Sequence, residues 1–514
     1  MKERIITYEI KIETFKDNDN NGIGDFKGLS SKLDYFKYLN INYLFINDIL
    51  KQYENVNSLE SANQRFGSLD EFIELTKLFN TNKVQITPII DLTEIKQSYI
   101  NWKNMMRLYS DDFDTTKEIE WNTLYSKYVL NNDIQPNERI TDLANFILYF
   151  DKVINFYNEC GVKSFVLKNF EFLIPNTKKQ KSLSKLEDIY KMIKRLNPDA
   201  KVILNPSVFN KTLFKKMIKS KAKVVDYLYI NSFTTIGIDK QMPYANKTIF
   251  NFKEITNEIK FLYYSPKYII CLGSDNYGRI QSMWGCEKAF LEESTKALIS
   301  LLFAGKSSIG MYYGDELGMT KTYHINLHKN EKKNNEEKRF YQSKKIPYAT
   351  YEQAKKYQSP ESSYALMSWS DGKNSGFGDS NNYYFSYADN VAKNNVELQK
   401  TIKNSPLNYF IQLTEIINNE KLSNNFDKSR VLVKKSNHKR VVLIKRKYKK
   451  ITLYFALNLA CLLYQSDAAD DSLPLCPGGP LNIQKKILHP LIPHLLLTAS
   501  QVEKPTYKTH GRCD

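Results

Sequence analysis

The sequence predicts an α/β protein whose main body is a closed (β/α)8 barrel, and three observations carry that prediction. Short apolar runs recur eight times within the first 320 residues. Segments of helical period lie between most of them. The stretches separating most runs are about 25 to 35 residues long, room for one helix and two turns. Continuous apolar strands that alternate with helices imply a parallel sheet covered by those helices.

The elements follow in order. IITYEIK (5–11) opens the barrel, and GLSSKLDYFKYLN behind it sets Leu29, Leu33, Phe36 and Leu39 on one helical face. YLFIND (43–48) and VQITPIID (84–91) are the second and third strands. About 70 residues then precede the fourth, VKSFVLK (162–168), too many for one crossover. The helical pattern ITDLANFILYFDKVINFY takes part of them, and 97–138 is expected to form a subdomain inserted after strand 3. KVILN (201–205), DYLYINS (226–232), YIICLGS (268–274) and SIGMYYG (308–314) complete the set. Their helices include SLSKLEDIYKMIKRLN and CEKAFLEESTKALISLLFAG. The barrel thus spans 1–320, and 321–395 is expected as an irregular connection. Residues 396–458 hold a helix, NYFIQLTEIINNEKL, and the strand-like runs SRVLVKK, RVVLIKRK and ITLYFALNL, the start of a truncated C-terminal β-domain.

Composition changes abruptly after that. Six of the sixteen prolines lie beyond 470, and the tail 459–514 reads as foreign to the fold and non-native; a genuine disordered extension is the alternative. No metal site is expected from its cysteines and histidines.

A net charge of +18 invites a nucleic-acid or membrane reading. The lysines, however, are spread along the chain beside Asn, Ile, Tyr and Phe, with no compact basic stripe or nucleic-acid motif. Solvated lysine faces are expected instead. No run reaches the roughly 20 apolar residues of a membrane span, and MKERIITYEIKIETF lacks the apolar core of a signal peptide. Up to residue 458 only Cys160, Cys271 and Cys286 occur, neither a disulfide framework nor a metal spacing. A cytoplasmic protein is expected.

Barrels of this kind do their chemistry at the C-terminal ends of the strands. Here those ends are Asp91, Lys168, Asn205, Ser232 and the run Ser274, Asp275, Asn276, a rim poor in acid. No histidine precedes His324, so the usual general base and neutral metal ligand are missing. One loop is richer. DNDNNGIGD (17–25) spaces Asp17, Asp19, Asn21 and Asp25, with Gly22 for a sharp turn and the Ile23 carbonyl as a further oxygen. Hard cations take six to eight oxygens, so a structural Ca2+ is expected; the twelfth position is Gly28, so the loop is no EF-hand. The plainer alternative is an Asx-rich turn.

Taken together, several segments resemble glycoside hydrolase family 13, the α-amylase family, and most nearly its oligo-1,6-glucosidase and α-glucosidase branch. They are YEIKIETFKDNDNNGIGDFKGLSSKLDYFKYLNINYLFIND, FGSLDEFIEL, GVKSFVLKNFEF, GSDNYGRIQSMWG, SSIGMYYGDELGMTK and LMSWSDGKNSGF. The resemblance spans roughly 1–458 and implies a retaining α-glucosidic site: an aspartate nucleophile, a glutamate acid/base and a sugar-binding aspartate, two carboxyl groups standing about 5 to 5.5 Å apart. Carried over by position, the nucleophile falls on Lys168, with Val166 for its neighbouring arginine, and the acid/base on Asn205. The seventh-strand aspartate falls on Asn276 and its histidine on Asp275; Arg279 is kept. The third-strand pair falls on Ile95 and Lys96, and a Tyr-Asp pair on Glu54 and Asn55.

All three catalytic carboxylates are therefore replaced. A protonated lysine is no nucleophile, and an amide has no proton to give a leaving oxygen. The implication is a pseudoenzyme that binds a carbohydrate or a sugar phosphate through Asp275, Arg279, Lys96, Lys168, Glu54 and Asn55, or that serves as scaffold or regulator of an active paralogue. Two alternatives stand beside it. One is an active α-glucan hydrolase using displaced acids, for which Asp275, Glu171, Glu94 and Glu54 are nearest in sequence. The other is a basic binding protein for an acidic polymer.

Overall fold

A computed structural model describes residues 4–47, 49, 66–95, 143–174, 183–239, 241–246, 252–322, 331–381, 385–419, 427–435, 441–449 and 451–458. Glu54, Asn55, Lys96, the expected insertion 97–138 and the tail 459–514 lie outside these residues.

Eight parallel strands close into a barrel in chain order. They are β1 (Ile6–Ile10), β2 (Tyr43–Asn47), β3 (Gln85–Asp91), β4 (Ser164–Lys168), β5 (Lys201–Asn205), β6 (Tyr227–Ile230), β7 (Tyr268–Cys271) and β8 (Ser308–Tyr312). β1 pairs with both β2 and β8, so no edge is left open. Burial on both faces explains the near-continuous apolar runs, since helices cover the outside and side-chain layers fill the inside.

The helix Leu69–Thr81 shows how local sequence builds this shell. Ser68 Oγ accepts from Glu71 N at 3.2 Å while Glu71 Oε2 accepts from Ser68 N at 2.9 Å, a reciprocal cap that satisfies two otherwise orphaned donors. Phe72, Leu75, Thr76 and Phe79 then recur at helical period and are buried against the barrel. Registers place strand ends side by side: Asp91 lies opposite Lys168, and Lys168 opposite Asn205.

Residues 331–358, part of the stretch expected to be irregular, hold two helices, Glu331–Ser343 and Tyr348–Gln358. Lysine-rich sequence hid them, yet Tyr341 and Tyr351 are buried together with Tyr244 packed against them. The helix Pro406–Asn418 follows, then an antiparallel sheet of β9 (Arg430–Lys435), β10 (Val441–Tyr448) and β11 (Ile451–Asn458), with β10 central. Two buried arginines tie this sheet to the barrel. Arg4 donates to Ser307 O at 2.8 Å and lies 3.6 Å from Asp427; Arg446 donates to Ala304 O and Gly305 O at 3.1 and 2.6 Å. Among the described residues, no helix is long and apolar enough to cross a membrane.

Candidate functional site

The cup at the strand ends begins at β4. Lys168 ends the strand, and Asn169 turns the chain away through a left-handed conformation (φ 57°) that asparagine tolerates better than most residues. Asn169 Nδ2 donates to Asp91 Oδ2 at 2.7 Å. The other oxygen, Asp91 Oδ1, accepts from Thr93 N and Thr93 Oγ1 at 2.9 and 2.6 Å. Three donors thus hold the Asp91 carboxylate, and Lys168 Nζ stands 3.9 Å off, an ion pair beyond hydrogen-bonding range.

A belt of neutral groups continues from β5 to β7. Asn205 Nδ2 donates to Tyr229 O at 2.9 Å and to Asn231 Oδ1 at 3.0 Å. Asn231 Nδ2 reaches Ser274 Oγ at 3.4 Å, and Ser274 Oγ also accepts from Asn276 N at 3.0 Å. The belt carries dipoles and no charge. Asn205 and Asn231 are buried, whereas Asn276 is exposed at the rim.

Beneath it lies an acid that sequence reading missed. Glu9, only 4% exposed, accepts a hydrogen bond from Tyr229 OH. Burial, reinforced by the nearby Asp275 charge, pushes its carboxyl up to about 8, against the opposing pull of Tyr229, Lys168 and Lys11. The signal was present in strand parity: Glu9 shares a face with Thr7 inside a run otherwise read as apolar. Lys11 also belongs to the cluster. Its ammonium lies 3.9 Å from the centre of the Tyr364 ring, and Tyr364 OH donates to the Asp275 carbonyl at 2.9 Å. Burial works against the Lys11 charge, but Tyr364 and Asp275 raise its pKa above the ordinary lysine value.

The remaining expected residues are placed as follows. Asp275 is half-buried at the β7 exit. Arg279 is only 1% exposed; its guanidinium stacks on Tyr312 and Tyr313 and lies 3.4 Å from Asp315 Oδ1, so it faces packing and not the open cup. Glu171 Oε1 accepts from Ser207 N and Oγ, both at 2.7 Å, which pins the β5 exit. Ile95 is buried, and Glu94 is exposed at the β3 exit.

The acidic loop folds on itself. Asp17 accepts from Asn20 N and Gly22 N at 2.7 and 2.9 Å; Asp25 accepts from Asn18 N and Gly28 N at 2.7 and 2.6 Å. Ile23 N donates to Asn21 Oδ1, and Asn21 Nδ2 to Asp19 Oδ2. One carboxylate oxygen each from Asp17, Asp19 and Asp25 lies within 4.8 Å of the other two. The Asp17 carboxyl is raised first by burial and further by Asp19, while Gly22 and Asn20 oppose. Three converging hard oxygens and a raised carboxyl fit a hard cation.

A closed parallel barrel with a polar cup at its strand ends and an antiparallel sheet behind it defines a (β/α)8-barrel protein with a C-terminal β-domain. The chain belongs to the alpha-amylase family: the profile of the alpha amylase catalytic domain matches residues 10–134 and 218–425. Lys168 and Asn205 both lie in the intervening unmatched stretch. Glucan 1,6-alpha-glucosidase of Streptococcus dysgalactiae subsp. equisimilis is 22% identical over 362 residues, 61% of this chain and 64% of that enzyme, so the match spans just under two thirds of its length. A probable oligo-1,6-glucosidase 3 of Bacillus subtilis (strain 168) is 22% identical over 480 residues, 81% of this chain and 83% of that one. Among solved structures, trehalose-6-phosphate hydrolase of Bacillus licheniformis superposes with a TM-score of 0.72 at 16% identity, covering 89% of this chain and 90% of that one. Isomaltulose synthase of Klebsiella sp. LX3 gives 0.67 at 15%, covering 89% and 90%. At such identities the likeness concerns the fold. The protein is thus a member of the alpha-amylase family.

Proposed function

We propose that this family member binds a carbohydrate in its barrel mouth and does not hydrolyse it, acting in the cytoplasm as a ligand-binding or regulatory relative of an active paralogue. One observation carries the reading: Lys168 and Asn205 end β4 and β5 and Asn276 stands beyond β7, the positions onto which the sequence resemblance carries the family's catalytic carboxylates. Retaining cleavage needs a nucleophilic carboxylate and a proton donor on opposite sides of the anomeric carbon. Asn205 offers neither, and its amide hydrogens are already given to Tyr229 O and Asn231. The loss of one such group costs orders of magnitude, and these groups act as a unit. In the same reading the 17–25 loop holds a structural Ca2+ through Asp17, Asp19 and Asp25, with Asn21 and the Ile23 carbonyl as further donors.

A second reading, an active glycosidase with displaced carboxyl groups, is favoured by the Glu9 cluster alone. Glu9 keeps its proton near neutral pH, as an acid catalyst must, and Asp275 lies within its electrostatic reach. One experiment separates the two. The full chain is incubated with 4-nitrophenyl α-glucoside and with isomaltose, and binding of isomaltose is followed by calorimetry. The first reading expects binding with no release above background. Turnover that Glu9→Gln or Asp275→Asn abolishes would establish the second.

A further inference from the structure

Lys168 is a cation placed where the family's chemistry has no use for one. It ends β4 between Asp91 on β3 and Asn205 on β5, in the middle of the cup wall. Its side chain is 24% exposed. A lysine ammonium has three donors and no acceptor. The neighbouring carboxylate, Asp91, stands 3.9 Å away with both oxygens held by Thr93 and Asn169. Those donors hold both carboxylate oxygens, so the Asp91–Lys168 contact stays an ion pair beyond hydrogen-bonding range. Beside it runs the belt of Asn205, Asn231, Ser274 and Asn276, groups that pair with hydroxyls and carry no charge.

A cation on one side and amides on the other describe a ligand with an anionic group on an otherwise neutral, hydroxyl-rich body; Lys11, the second described cation of the cluster, is set against the Tyr364 ring. We infer that the cup selects an acidic sugar, one bearing a single phosphate or carboxylate, whose anionic group is held by Lys168 while Asn276, exposed at the rim, takes a hydroxyl. The inference rests on the carbohydrate-binding reading above and sharpens it: the position that lost a nucleophile gained an anion anchor. A charge-assisted hydrogen bond in a partly desolvated cup is worth enough to set a preference of about ten- to a hundredfold over a neutral sugar.

The test uses the full chain and calorimetry with glucose, glucose 6-phosphate, glucuronate and inorganic phosphate. An acidic sugar is expected to bind at least about tenfold tighter than glucose, and tighter than phosphate alone. Preference for the phosphate over the carboxylate sugar, or the reverse, names the anionic group. Lys168→Gln is expected to bring the affinity for the acidic sugar down to that for glucose in the same variant, with a melting curve like that of the parent. Equal affinity for neutral and acidic sugars, or a preference that survives Lys168→Gln, overturns the inference and leaves the carbohydrate reading in place. Failure of every sugar overturns both. Should the variant not fold, the parent's preference and its decline with added salt decide, since an electrostatic anchor is screened and a steric one is not. Heparin binding that persists unchanged in Lys168→Gln, with no preference among the sugars, would assign the chain's positive charge to its surface and overturn the inference as well.

Discussion

Glu9 carries a prediction about pH that needs no knowledge of the ligand. Its carboxyl titrates near 4.5 in the unfolded chain and about 8 in the folded one. Between those values the folded protein keeps a proton that the unfolded chain has released, so stability falls as pH rises through the window and levels off above it. Glu9→Gln removes the slope while still accepting from Tyr229 OH. At pH 8 the variant is expected to be more stable by roughly 1 to 4 kcal/mol, with no gain at pH 4.5. Melting temperatures across pH check this, and a pH-independent offset would refute it. Residues at this scale were unevenly legible. The strand ends at Lys168 and Asn205 could be found because apolar runs mark where strands stop. Glu9 was missed, because one acid inside an apolar run is marked only by its parity with Thr7. Asn231 and Tyr364 reach the cup from the β6 exit and from a segment beyond the barrel, and such long-range meetings leave no local trace.

At the scale of elements, periodicity was sufficient for the eight strands and the helices between them. It failed for Glu331–Ser343 and Tyr348–Gln358, where lysines outnumber the tyrosines that decide the packing. Two elements invite measurement. Ser68→Ala removes the oxygen that caps Leu69–Thr81 and is expected to cost about 1 kcal/mol, read as a shift in denaturant midpoint with unchanged m-value. The acidic loop makes a larger claim. It is clamped from outside by Asp17 N donating to Phe377 O at 3.0 Å and by Asp379 N donating to Asn20 Oδ1 at 2.8 Å. Removal of Ca2+ with a chelator is expected to lower the melting temperature of the parent and to leave Asp19→Asn less affected. A parent indifferent to chelator and to added Ca2+ would leave the loop as an Asx turn.

For the whole molecule, the seam between barrel and C-terminal sheet concentrates buried charge. Arg4 is pulled down to about 10, by burial first, with Asp427 opposing; Arg446 is lowered further by burial and by Arg4. Such a cluster is expensive to disrupt from one side. Arg446→Ala takes the donor from Ala304 O and Gly305 O and is expected to cost about 3 kcal/mol, with faster proteolysis between barrel and sheet; a variant as stable as its parent would show that the sheet is held by apolar packing alone. Arg4 and Arg446 grip the barrel at the end where β8 begins, whereas Lys168, Asn205 and Asn276 stand at the ends where strands finish. The two poles answer to different pressures. Exchanging a group at the chemical pole therefore leaves the grip of the structural pole intact.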